Sequence, residues 1–181
     1  MRLVTYDDPF VADDRLSVFL LGPTARNGVR TPWRQRVIDR FANADVSIII
    51  PEFLGPDPSG RSFQQRWDDG KQSIIPGMRR STQRVLDWET SWIDGATVTL
   101  AWCDMCDETP GKTTRSEVGR ASALHEAGVS RGLLIYGIPP RADTTGHIRY
   151  HAHCAGIRVY DSLDTCCDRV IELFPSMMVS S

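Results

Sequence analysis

Long apolar runs are missing from this sequence. The longest, such as Val18 to Leu21 and Val46 to Ile50, fall far short of the roughly 20 residues that a membrane-spanning helix needs. A surplus of positive charge is missing too. Lysine occurs only as Lys71 and Lys112, and 21 basic side chains face 23 acidic ones for a net charge of -2. That balance excludes the electrostatic footprint of a duplex-DNA binder or of a protein held on an anionic membrane. Met1 to Pro9 contains no apolar segment of the signal-peptide kind, and the five cysteines are odd in number and unevenly spread. Both features predict reduced thiols and a cytoplasmic protein.

Three ligand-binding signatures are incomplete. After the first apolar strand only Gly22 of a G-x-G-x-x-G fingerprint is in place, so a dinucleotide site is not supported. Gly111-Lys112-Thr113-Thr114 has the end of a P-loop, but Cys106 stands where the leading glycine belongs. Cys103-Asp-Met-Cys106 has no second C-x-x-C, and the adjacent Cys166-Cys167 pair points two ways on a helix, so no metal is expected. His147, His151 and His153 read as a polar helix face. No organic cofactor is implied by any motif.

What is present is enough apolar material, 41% of 181 residues against 24% charged, to fill one core. Short β-branched runs alternate with amphipathic stretches. Strands are predicted at 17–21, 46–51, 97–102, 131–136 and 157–160, and helices at 32–42, 79–94, 114–127, 146–155 and 164–174. Strict alternation of this kind predicts a doubly wound α/β domain: a five-stranded parallel sheet of flavodoxin or Rossmann type with helices on both faces. Strand order does not follow from periodicity. Residues 1–15 read as a polar N-terminal extension, and 16–176 as a single domain. An insertion at about 53–77, rich in Gly, Pro and Asp, follows the second strand and therefore lies at the sheet's carboxyl edge, where open α/β sheets bind ligands.

Two carboxylates fall where charge is out of place. Glu89 shares a helix face with Val85, Trp92 and Ile93, and Glu117 shares one with Ala121 and Leu124. An unpaired buried carboxylate costs several kcal/mol, so each needs a partner, a pocket or a task. For Glu89 the competing reading is a structural ion pair with an arginine. For Glu117 it is a capping box, since Thr114-Arg-Ser-Glu117 has the required spacing. A first-turn carboxylate is also kept ionised by the helix dipole, which suits a nucleophile. Gly22 allows a ligand close to the backbone or simply makes a β-to-α turn. Lys112 is a point charge near an anionic ligand or ordinary surface.

Taken together, Val18-Phe19-Leu20-Leu21-Gly22-Pro23-Thr24, Trp33-Arg34, Trp88-Glu89-Thr90 with Trp92-Ile93, Val98 to Trp102, and Thr113-Thr114-Arg115-Ser116-Glu117-Val118-Gly119-Arg120-Ala121 resemble the nucleoside 2-deoxyribosyltransferase-like family. The likeness spans most of residues 17–174. It implies a flavodoxin-like fold, a homodimer or larger homo-oligomer, and cleavage or transfer at the N-glycosidic bond of a (deoxy)ribonucleoside or nucleoside 5′-monophosphate, without a metal or organic cofactor. Glu117 would be the nucleophile that forms a covalent glycosyl-enzyme, and Glu89 would hold the sugar hydroxyl. Gly22, Pro23, Thr24 and Trp33 would line the substrate pocket, with Gly111 and Lys112 beside a phosphate. The partners implied are a nucleoside or nucleotide and, for a transferase, a free base as acceptor. A non-catalytic nucleotide-binding or sensor module with the same pocket is the alternative.

Overall fold

The computed structural model describes residues 1–11, 16–23, 32–53, 59–68, 70–105, 111–143 and 145–178. In chain order the elements are β1 (Arg2–Val4), β2 (Ser17–Leu21), α1 (Pro32–Arg40), β3 (Ser47–Ile49), α2 (Phe63–Trp67), α3 (Arg80–Gly95), β4 (Val98–Trp102), α4 (Lys112–Glu126), β5 (Leu133–Gly137), α5 (Gly146–Cys154), β6 (Val159–Tyr160) and α6 (Leu163–Met178). All strand pairs are parallel, in the order β1-β3-β2-β4-β5-β6. The sheet therefore has six strands, not the five expected. The additional one, β1, comes from the stretch read as a polar extension and pairs Arg2 with Ser47 through Val4 with Ile49. Without β1 the order is that of a flavodoxin-like sheet, and the chain changes direction of winding between β2 and β4.

Both central strands are buried at every position, the polar Ser17 and Thr99 included, because both faces are covered. Side chains alternate between two cores with period two. Phe19, Leu21 and Ala101 face one layer, where they meet Trp88 and Trp92 of α3, Val118 and Ala121 of α4, and Ile148 of α5. Val18, Leu20, Val98 and Leu100 face the other, against Val37 and Ile38 of α1 and Cys166 and Val170 of α6. Helices on opposite faces either side of β2 keep both sets of crossovers right-handed. No helix among the described residues is long and apolar enough to cross a membrane.

Two local differences bear on the site. The helix expected to start at Thr114 starts at Lys112, because Gly111 adopts a left-handed backbone (φ 54°) and caps it without a side-chain bond. Thr114 is then a buried residue inside the first turn and makes no cap. The capping box is not formed, and Glu117 sits in the second turn. Within 53–77, Ser62 and Gln65 form a capping box that starts α2, and this short helix delivers Trp67 to the core.

Candidate active site

Parallel strands bring every β-to-α connection to one edge, so residues just beyond β1, β2, β3 and β4 gather at the switch between β2 and β4. Beyond β1 the turn Thr5–Asp8 is closed on itself. The Asp8 carboxylate accepts from the Thr5 amide at 2.9 Å, and the Asp8 amide donates to the Thr5 carbonyl at 3.0 Å. The Trp88 indole N–H clasps the Asp8 carbonyl at 2.8 Å. The turn holds Tyr6 among Trp88, Trp67 and Phe53, with ring centroids 4.9, 5.4 and 5.4 Å away. From there the phenol donates a short hydrogen bond to Glu89 Oε1.

Glu89 and Glu117, from α3 and α4, meet at this point. Their carboxyl groups are within hydrogen-bonding reach of each other. Burial pushes Glu117 up to about 8, the Glu89 charge adds to the rise, and Arg34 opposes it. Glu89 is also raised by burial, against the hydrogen bonds from Tyr6 and Glu117 and the Arg34 charge. Two carboxyls this close cannot both ionise freely, so the pair titrates in two separated steps, and at neutral pH Glu117 holds its proton. Glu117 is thus not held ionised by the helix dipole as expected. It lies beyond the first turn, and burial outweighs the helix field.

Arg34 completes the arrangement from α1 and has no exposed surface. Its Nη1 reaches Glu52 Oε1 at 2.5 Å, its Nη2 donates to the Gly22 carbonyl at 2.9 Å, and its guanidinium lies 4.7 Å from the Trp33 ring. Glu52 follows β3, and its carbonyl accepts from the Tyr6 amide at 3.2 Å. Tyr6 and Glu52 are not among the residues singled out from the sequence, and Arg34 stands there only beside Trp33 in the run that carries the resemblance, with no site role. Arg34 carried a usable signal, since it shares a face with Val37 and Ile38 just as Glu89 does with Ile93. Tyr6 and Glu52 carried none, because their partners are far away in sequence.

The remaining expected residues are placed as follows. Gly22 and Pro23 are buried at the end of β2. A Cβ on Gly22 would come 2.5 Å from the Trp102 carbonyl and 2.8 Å from the Trp33 ring, so packing accounts for this glycine. Trp33 is buried, and its indole N–H donates to the Pro23 carbonyl at 3.3 Å. Gly111 caps α4 and Lys112 opens it. Thr24 lies outside the described residues. Cys103 is buried beyond β4, and burial pushes its thiol up to about 12, so it stays protonated. Among the described residues no group of three or more His, Cys, Asp or Glu is placed to hold a metal. A groove of about 630 Å³ between α6 and the start of β5 lies away from the carboxyl pair and shares none of these residues.

No protein-family profile matches the chain, and no curated protein matches it. Among solved structures, the chain is similar to the Clostridium botulinum CMP N-glycosidase BcmB, with 14% identity, a TM-score of 0.47, and coverage of 87% of this chain and 98% of that one.

Proposed function

We propose that this chain breaks the N-glycosidic bond of a nucleoside or nucleoside 5′-monophosphate, passing the sugar through Glu117 to water or to a second base. The carboxyl pair at the switch between β2 and β4 supports this reading: two buried acids within hydrogen-bonding reach of each other lie at the edge where open α/β sheets bind ligands. Departure of a base needs a proton on the base and negative charge beside the sugar carbon. A singly protonated pair supplies both.

The steps balance as follows. The C1′–N bond breaks and its electrons go to the base nitrogen, while the proton of the pair passes to the base. Glu117, now ionised, forms a bond to C1′. Water then attacks C1′, the Glu117–C1′ bond breaks, and the water's second proton returns to the pair. A base in place of water gives transfer. Glu89, whose charged form the Tyr6 hydrogen bond favours against burial, orients a sugar hydroxyl and stabilises the cationic transition state.

Incubation with deoxynucleosides, ribonucleosides and their monophosphates, with and without an acceptor base, tests the reading by chromatography of the released base. Mass spectrometry of the quenched protein looks for a sugar adduct on the peptide containing Glu117. Release that is abolished in Glu117→Ala supports the proposal. Saturable ligand binding with no release from any substrate favours the binding-module reading instead.

A further inference from the structure

Arg34 is the one charged residue among the described residues that belongs wholly to the core. An isolated charge there is costly, and a well-packed apolar residue usually serves stability as well or better. Glu52 and the Gly22 carbonyl clamp the guanidinium, and the Trp33 ring covers part of it. From this clamp a continuous chain of contacts leads to the carboxyl pair: Glu52 holds the Tyr6 backbone, and the Tyr6 phenol holds Glu89.

We propose that Arg34 is a positioning residue, a buried counter-charge that favours the ionised form of the Glu89/Glu117 pair, with Glu52 setting how much of that field the pair feels. Among the described residues, the groups facing the pair are Tyr6 from the turn after β1, Arg34 from α1, Cys103 after β4, and, one contact further, Glu52 after β3. Tyr6 and Cys103 are neutral, both held protonated by burial. Arg34 is therefore the cation in this set, and its field lowers both carboxyls of the pair. Its guanidinium remains charged, as arginine does in proteins. Removing it would leave the two buried acids with less to support an ionised form, and the first ionisation of the pair would move to higher pH. A pair protonated at both acids has no carboxylate to offer a sugar carbon. In this respect the inference rests on the proposed function, although the charge state of the pair does not.

Carbon-13 NMR of side-chain-labelled glutamate tests the inference without any substrate. The pair's resonances are assigned from Glu89→Gln and Glu117→Gln, and their titration is then followed in Arg34→Met, Arg34→Lys and Glu52→Gln. Gain or loss of a neighbouring charge moves a carboxyl midpoint by about one to three pH units. Arg34→Met should raise the first ionisation of the pair by about that much, and Arg34→Lys should stay near wild type. Glu52→Gln should lower it, because an unneutralised Arg34 acts more strongly. Opposite directions in Arg34→Met and Glu52→Gln are the diagnostic result, since a purely structural clamp would move both variants the same way. If Arg34→Met does not fold, by circular dichroism, Glu52→Gln and Arg34→Lys carry the test. An unmoved or raised midpoint in Glu52→Gln overturns the inference. Absence of base release with the titration shifts intact would sink the proposed reaction and leave the counter-charge standing.

Discussion

Replacing Glu117 by Gln should stabilise the protein, and increasingly so as the pH rises. Burial and Glu89 hold the Glu117 carboxyl at about 8 against an ordinary value of 4.5. Below 4.5 the group is protonated in both folded and unfolded chains and costs nothing. As the pH climbs, the unfolded chain gives up its proton first, so folding is weakened by about 1.4 kcal/mol per pH unit until the folded group also ionises. Over roughly three and a half pH units this amounts to about 5 kcal/mol as a ceiling, which partial access of water to the site reduces to about 2 to 3 kcal/mol. Glutamine keeps the shape and a hydrogen bond to Glu89 and cannot ionise. Urea unfolding of both proteins at pH 5, 6, 7 and 8 measures the effect. The advantage of Glu117→Gln should widen by about 2 to 3 kcal/mol from pH 5 to pH 8. A gap that stays constant or narrows with pH refutes the reasoning, because Glu117 would then not be a raised, buried acid.

Base release should follow a bell-shaped pH profile whose alkaline limb has its midpoint at about 8, where the pair loses its shared proton; a flat profile across that region would separate the pair from the rate. Tyr6→Phe keeps the aromatic packing and removes the donor to Glu89, so base release should fall about 10² to 10³-fold and unfolding in urea should lose about 1 to 3 kcal/mol; kinetics and unfolding curves unchanged from wild type would contradict the hydrogen bond. Gly22→Ala should lower stability by about 1 to 3 kcal/mol, since its Cβ would press on the Trp102 carbonyl and the Trp33 ring; thermal unfolding at the wild-type midpoint would show that the neighbours yield freely.

The legible parts of this sequence are those where a local pattern and the tertiary environment agree. β2 and β4 read as short, mostly apolar runs because both faces are covered, and Glu89 and Glu117 stand out against apolar helix faces. β1 was hidden because a three-residue edge strand with polar neighbours offers no period to read. The same arithmetic that marks Glu89 marks Arg34, a guanidinium on the face of Val37 and Ile38. The capping-box reading of Glu117 failed for a specific reason: Gly111 turns into the helix two residues earlier, a backbone choice that the spacing of Thr114 and Glu117 does not report. The Tyr6–Glu89 bond joins residues 83 apart, and no local window contains it.

β1 gives the sheet more than width. Because it runs parallel to its neighbours, its last residues emerge beside the carboxyl pair, and three rungs of pairing to β3 set where the Tyr6 phenol points. The outermost strand of an open sheet is the part most readily released by local unfolding. Any event that frays this edge therefore also changes the acidity of a site on the far side of β3 and β2, so the mechanical integrity of the sheet's margin and the protonation of its centre vary together.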